Sequence, residues 1–114
     1  MMRIKVFIIC LSILNIFPLF AQEQVVINKI INVYDGDTFR VDIDEFPPIV
    51  GRNIAIRILG IDTPEIKGSC RKERELAIKA RDFTRKYLNA ANIVSLTNLR
   101  RDKYFRILAN VHID

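Results

Sequence analysis

Alternation of apolar and polar positions predicts a β-hairpin near the start of the folded region. Every second residue of segment 25–33 is expected on one face of a strand: Val25, Ile27, Lys29, Ile31 and Val33. Asp35-Gly36 is a typical hairpin turn pair, and residues 38–43 resume the alternation. The segment 44–48 then breaks the pattern because its prolines cannot donate to a strand ladder.

One helix and three more strands complete the predicted pattern. Residues 71–89 repeat apolar side chains at helical spacing, with a stripe of Leu76, Ala80, Phe83 and Tyr87 and with Ala77, Thr84 and Leu88 beside it. Segments 53–59, 93–97 and 104–113 have the composition of strands, and a basic turn, 100–103, joins the last two. This order favours a small closed or nearly closed barrel, since closure removes exposed strand edges. Other small α+β folds are also compatible with it.

The first 21 residues are not expected to belong to this fold. Arg3 and Lys5 precede an apolar run that ends at Pro18-Leu-Phe-Ala21, the order of a secretory signal peptide cleaved after Ala21. A membrane anchor is the alternative, but sustained apolarity falls short of the roughly 20 residues that a bilayer crossing needs. We therefore predict a signal peptide at 1–21, a folded domain at 22–114 and a secreted or periplasmic protein without stable membrane association after cleavage.

Charge and cysteine content narrow the chemistry modestly. Without Arg3 and Lys5, 16 basic residues face 13 acidic ones, and this net charge of +3 suits an anionic partner without requiring one. Cys10 leaves with the signal peptide, so Cys70 has no partner for an internal disulfide. A single histidine, His112, and a single remaining cysteine argue against zinc, whereas hard carboxylate oxygens suit calcium.

Three separated segments place charged residues where strands meet loops. They are Val33-Tyr-Asp-Gly-Asp-Thr38, Ile56-Arg-Ile-Leu-Gly-Ile-Asp-Thr-Pro-Glu65 and Arg101-Asp-Lys-Tyr-Phe-Arg-Ile-Leu-Ala109. Each segment alone has an ordinary explanation: a common turn, a capped turn and a strand arginine that faces solvent. In their order and approximate spacing, the three together resemble the staphylococcal nuclease family, over about residues 25–111.

The resemblance implies both a fold and an activity. The fold is mainly β, a five-stranded OB-fold barrel with one packed helix and a binding site on the barrel face. The activity is calcium-dependent hydrolysis of DNA or RNA phosphodiester bonds. Phosphodiester chemistry requires a cation on the phosphate oxygens, a base for the attacking water and cationic donors for the developing charge, and the three segments contain side chains for each task.

The resemblance also assigns roles to individual residues. The implied Ca²⁺ ligands are Asp37, Asp62 and the backbone carbonyl of Thr63. The implied catalytic residues are Glu65, which would orient or deprotonate the water, and Arg57 and Arg106, which would clamp the phosphate. The implied substrate contacts, at a neighbouring phosphate, are Lys103 and Tyr104.

Two departures from the family pattern bear on these expectations. Phe105 and Ile107 flank Arg106 where the best-known member has glycines, so their bulk is expected to tilt Arg106 or narrow the base pocket. The chain stops at Asp114, whereas the family continues with two more helices. We therefore expect a C-terminally incomplete barrel that is marginally folded and poorly active, and whose last strand, next to Arg106, is its least anchored element.

Two other classes of protein stay open from the residues alone. One is a nucleic-acid-binding OB module without catalysis, although related modules typically lose the acidic and arginine positions that are all present here. The other is an inactive, truncated gene product. The expected partners are DNA and/or RNA. Single strands are preferred because the site must reach around one phosphate, and the protein is expected to be a monomer.

Overall fold

The computed structural model describes residues 23–114, so the predicted signal peptide at 1–21 lies outside the described residues. The strands are β1 (Val25–Val26), β2 (Lys29–Val33), β3 (Thr38–Asp42), β4 (Ile54–Ile58), β5 (Val94–Arg101) and β6 (Ile107–Ile113). The helices are α1 (Pro48–Gly51) and α2 (Arg71–Ala90). The prediction of a mainly β fold with one main helix is confirmed. Within the described range, neither helix combines the length and apolarity that crossing a membrane requires.

The strands form one mixed sheet that curls back on itself. Their order is β1-β5-β6-β4-β3-β2, so the two ends of the sheet, β1 and β2, are consecutive in sequence. The chain bends between them at Ile27 and Asn28. There the Ile27 N–H donates to the Val94 carbonyl (2.9 Å) and the Asn28 N–H donates to the Asp42 carbonyl (3.0 Å). The bend divides the first predicted strand into β1, which pairs with β5, and β2, which pairs with β3. This division raises the strand count of the OB-like barrel from five to six.

A bulge in β2 changes which side chains of the first predicted strand face the core, so part of the predicted face is wrong. Val25 and Val33 are buried, as predicted, but Lys29 is exposed and the side chain of Ile31 is 39% exposed. The register with β3 shifts between Ile30 and Asn32. An extra residue in one strand reverses the alternation beyond it, so Ile30 packs against the core in place of Ile31.

The main helix packs through a different face from the one its sequence predicts. Ala77 and Leu88 are buried, whereas Leu76, Phe83 and Tyr87 of the predicted stripe are 47%, 64% and 47% exposed. The reason lies in what the helix contacts. Its inner face meets the β2–β3 turn, where the hydroxyl of Thr84 donates to the Gly36 carbonyl at 2.7 Å. The helix therefore supports the hairpin turn, with Ala80 of the predicted stripe beside Gly36, while the rest of that stripe lies on the adjacent, exposed side.

The last strand is not the weakly held element that its position near the chain end predicts. β6 lies inside the sheet, antiparallel to β5 on one side and parallel to β4 on the other. Asp114 also exchanges backbone hydrogen bonds with Ile93, at 3.0 and 3.3 Å. The strand that follows Arg106 is therefore held on both of its edges.

Candidate active site

The turn between β2 and β3 buries two carboxylates side by side. Asp35 and Asp37 are each only 4% exposed, and the backbone N–H of Asp37 donates to Asp35 Oδ1 at 3.1 Å. Gly36 stands between them at a point of close approach, since a Cβ there would lie 2.7 Å from Thr63 Cγ2 and 2.9 Å from Ala80 Cβ. A glycine at this position lets the acidic turn pack directly against helix α2 and the loop after β4.

Asp37 is the anionic centre of this turn. Its carboxylate accepts hydrogen bonds from the Thr38 hydroxyl (3.0 Å) and the Thr63 backbone N–H (3.2 Å), and Arg57 Nη1 lies 2.9 Å away. Burial alone would raise the pKa of Asp37, but these hydrogen bonds, one with the Asp35 side chain and the charge of Arg57 hold that pKa below its ordinary value of 3.8. Asp37 is therefore ionised at neutral pH.

Arg57 connects the acidic turn with the loop that follows β4. Its Nη1 also donates to the Ile61 carbonyl at 2.7 Å, and its Nη2 lies 3.6 Å from Asp62 Oδ1. The pairing of β3 with β4 sets Arg57 opposite Thr38, which aims its side chain at the turn. One guanidinium thus contacts both carboxylates predicted to hold a metal, although the Asp62 side chain itself is 94% exposed.

A single cavity of about 680 Å³ joins most of the predicted site residues. Its lining includes Asp37, Arg57, Glu65, Tyr104 and Arg106. Asp62 and Thr63 lie beyond this lining and reach the site through Arg57 and Asp37. Glu65 is exposed, and no hydrogen bond or ion pair within residues 23–114 engages its carboxylate. Its carboxylate is therefore available to a water molecule or a ligand in the cavity.

The turn between β5 and β6 carries the second arginine and the two predicted substrate contacts. Tyr104 is 67% exposed, and its ring lies 5.4 Å from the Arg106 guanidinium carbon and 5.1 Å from Lys103 Nζ. Lys103 is exposed on the same turn but lies outside the cavity lining. The structure thus groups Tyr104 and Arg106 at the cavity and sets Lys103 at its edge.

Asp102 contacts Arg106 directly, although the sequence reasoning assigned it no role. It accepts a hydrogen bond from Arg106 Nε at 2.5 Å and others from the backbone N–H groups of Tyr104 (2.9 Å) and Arg106 (3.3 Å). Burial would raise the pKa of Asp102, but these bonds hold it below 3.8. Because Asp102 takes Nε, the two terminal nitrogens of Arg106 keep no hydrogen-bond partner among the described residues. The spacing of four residues between Asp102 and Arg106 is the feature of the sequence that could have indicated this contact.

Asp35 is the second residue that was missed, because it was interpreted only as half of a turn pair. Burial, together with its hydrogen bond to the Asp37 side chain, raises the pKa of Asp35 to about 6. The charge of Glu65 acts in the same direction. Two neighbouring carboxylates with pKa values pushed apart are typical of functional sites. The repeated aspartate in Asp35-Gly-Asp37 was the signal.

The oxygen donors around Asp37 are of the chemical type that a hard cation such as Ca²⁺ prefers. Asp37 is ionised, and Thr63 Oγ1 is buried without a hydrogen-bond partner, an unsatisfied oxygen next to the Asp37 contact. Within residues 23–114, no three histidine, cysteine, aspartate or glutamate side chains are grouped so as to hold a metal ion. Ca²⁺ takes 6–8 oxygen ligands, so backbone carbonyls, waters and substrate oxygens would have to complete the shell. Arg57 now contacts both carboxylates and would compete with a cation there.

A curled β-sheet whose buried acidic turn and arginines line one cavity defines an OB-fold-like domain. Comparison with known proteins agrees with this class. The model of the family described as "Staphylococcal nuclease homologue" matches residues 55–114. Thermonuclease from Staphylococcus hyicus is 34% identical over 92 residues, which cover 80% of this chain and 50% of that relative. The chain belongs to the staphylococcal nuclease family, and it spans about half the length of this curated relative.

Proposed function

We propose that the protein is a nuclease that hydrolyses phosphodiester bonds of DNA or RNA with the help of Ca²⁺. The observation that carries the proposal is the shared cavity, which is lined by an ionised Asp37, an unpaired Glu65, Arg57 of β4 and Arg106 of the β5–β6 turn. Asp37, Asp62 and Thr63 would hold the cation. Bound there, calcium would supply positive charge to a phosphate oxygen.

Glu65 is the group best placed to act on water. Its carboxylate has no competing partner, so it can accept a hydrogen bond from a water molecule and take the proton as that water attacks phosphorus. The other carboxylates of the cavity are less suited to this role. Asp37 is occupied by Thr38, Thr63 and Arg57, and Asp35 is buried in the turn.

The two arginines neutralise charge on the phosphate. Arg106 offers two terminal nitrogens because Asp102 holds its Nε, and this fork matches two oxygens of one phosphate. Arg57, on β4, is positioned by the Ile61 carbonyl and Asp37 and lines the same cavity. Donors fixed before the substrate arrives stabilise the extra negative charge of the transition state without further reorganisation.

The remaining features of the proposal concern the setting of the reaction. We propose a secreted or periplasmic monomer, processed after Ala21, that prefers single strands because the site must reach around one phosphate. Affinity for Ca²⁺ is then expected to be weak, on the order of 10⁻⁴–10⁻³ M, as in extracellular calcium-binding modules. N-terminal sequencing of the protein recovered from the medium or periplasm tests the cleavage site.

Digestion of circular single-stranded DNA, with Ca²⁺ and then with excess chelator, tests the activity directly. Glu65→Gln keeps the shape of the side chain and removes the base, so turnover should fall by about 10²–10⁴-fold while oligonucleotide affinity is kept. Glu75→Gln, on the exposed face of α2, is the matched control and should leave turnover unchanged. Near-native turnover of the Glu65 variant, or full activity in chelator, would contradict the proposal.

A further inference from the structure

A third arginine, Arg40 of β3, lines the cavity at the proposed active site, and the proposed reaction does not use it. Its Nε donates to Asn53 Oδ1 at 2.8 Å, and its Nη2 donates to the Asn53 carbonyl at 2.6 Å. Within residues 23–114, no hydrogen bond or ion pair engages its Nη1. The guanidinium is therefore fixed along one edge and keeps a terminal nitrogen available to a ligand.

The partner that fixes Arg40 is neutral, which distinguishes this arginine from the other two in the cavity. Arg57 forms an ion pair with Asp37, and Arg106 forms one with Asp102. Among the described residues, no carboxylate forms an ion pair with Arg40. Neutral oxygens hold a guanidinium in place without compensating its charge. Arg40 therefore brings an uncompensated positive charge to the cavity, and a phosphate is an anion whose geometry a guanidinium matches.

The backbone of Asn53 lets both of its oxygens meet Arg40. Its φ is +53°, in the left-handed region that asparagine tolerates better than most residues. Its N–H donates to the Asp42 side chain at 2.9 Å, which holds this conformation just before β4. Arg40 is thus oriented before any ligand arrives, and such preorganisation lowers the cost of binding.

Arg40 and Arg106 lie on different sides of the cavity floor. The pairing of β3 with β4 sets Arg40 opposite Ala55, whose small side chain leaves the floor open. The parallel register of β4 with β6 pairs Ile56 with Ile107, and the residues that precede this pair are Ala55 and Arg106. Two strand spacings, about 10 Å, therefore separate the backbones of Arg40 and Arg106.

Arg40 and Arg57 also extend in opposite directions. Arg57 contacts the Ile61 carbonyl beyond the end of β4, whereas Arg40 contacts Asn53 before its start. A phosphate held by Arg57 and Arg106 therefore leaves Arg40 free for another anionic group. Asn32 of β2 pairs with Arg40 across the strands, is exposed and lines the same cavity. Its side-chain amide can donate to an oxygen of that group.

We propose that Arg40 and Asn32 form a second phosphate-binding site, which takes the phosphate next to the one held by Arg57 and Arg106. The inference rests on the proposed nuclease function and adds that the substrate is a strand with successive phosphates, laid across the sheet from the β5–β6 turn towards β2. A dinucleotide with one phosphate cannot use the second site. Internal bonds of a longer strand are therefore the preferred substrate.

The test compares two fluorescein-labelled tetrathymidylates by anisotropy, on the full chain and in chelator so that no cutting occurs. One probe has three phosphodiester linkages, and the two outer linkages of the other are uncharged methylphosphonates. We expect the wild-type protein to bind the fully charged probe about fivefold more tightly at low salt, the upper end for an exposed ion pair. Arg40→Gln should bring the two dissociation constants together and reduce the salt slope for the charged probe by about 0.7. Lys86→Gln removes an exposed charge of α2 outside the cavity and should preserve the preference.

A second variant separates the orientation of Arg40 from folding. Asn53→Gly removes the acceptor of the Arg40 Nε but permits a φ of +53°, so Tm should not fall, while the preference should weaken. A preference kept in Arg40→Gln, or absent from wild-type protein that cuts DNA in Ca²⁺, would overturn the second site and leave the nuclease function intact. A preference that depends on Arg40 in a protein that does not cut would overturn the nuclease function alone, and the absence of both preference and cutting would overturn both.

Discussion

Adding one methyl group at Gly36 should lower both the stability of the fold and the turnover of its site, and the two effects can be measured separately. In Gly36→Ala, the new Cβ would lie 2.7 Å from Thr63 Cγ2, 2.9 Å from Ala80 Cβ and 3.0 Å from Thr63 Cβ. Two of these atoms belong to the loop that donates to Asp37, and the third belongs to α2. The substitution therefore acts on the point where the acidic turn, the helix and the loop after β4 converge.

The structure allows the size of the effect to be worked out. Carbon contacts are optimal at about 3.5–4.0 Å, so Thr63 or Ala80 must retreat by roughly 0.7 Å or more. Excess volume in a packed region costs about 1–3 kcal/mol, which for a domain of this size corresponds to a fall in Tm of roughly 5–20 °C. A misplacement near 1 Å at a catalytic site costs about 10²-fold in rate. We therefore expect a loss of turnover even well below the Tm.

Thermal melts in chelator and cutting assays at low temperature measure the two effects on matched variants. Gly51→Ala sets a Cβ 2.4 Å from the Ile43 carbonyl oxygen, away from the cavity, so it should lower Tm at least as much and spare the turnover of folded protein. Gly68→Ala meets only the flexible end of Glu73, at 2.6 Å, and should be nearly neutral. A Gly36 variant with native Tm and native turnover would refute the packing argument.

Three further predictions concern the charged groups. Arg57→Lys keeps the charge but cannot hold Asp37, the Ile61 carbonyl and Asp62 together, so turnover should fall by about 10²-fold or more at near-native Tm, and native turnover would exclude a clamp role. The pKa of Asp102 is depressed in the folded state, so the stability that its charge contributes is present above pH 3.8 and is lost as pH falls through the folded-state pKa. The Tm of Asp102→Asn should therefore be lower than that of the wild type at pH 7, and the difference should narrow below pH 3.8. A Tm difference independent of pH would argue against this role of the Asp102 charge. Affinity for single strands in chelator should fall with salt by about 0.7 log units per tenfold increase for each neutralised phosphate, and a flat dependence would remove electrostatic capture.

Features that depend on neighbours close in sequence could be predicted without a structure. Alternation and an Asp-Gly pair predicted the hairpin, and helical spacing over 71–89 predicted α2 at Arg71–Ala90. The order of three short motifs was enough to indicate the family, because each motif is a local string of residues. Proximity of Asp37, Arg57 and Arg106 was expected from that resemblance, but spacing alone does not determine which atoms meet.

The tertiary structure decided everything that depends on a partner distant in sequence. The turn at Gly36 accepts a hydrogen bond from Thr84, 48 positions along the chain, and Asp37 accepts one from Thr63, 26 positions along it. Helical spacing shows which residues share a face, but not which of two adjacent faces is covered, so the exposed side of Phe83 could not be foreseen. The burial of Asp35 could not be predicted for the same reason. Its sequence indicates only a turn residue, whereas burial depends on what packs against it, and that packing raises its pKa.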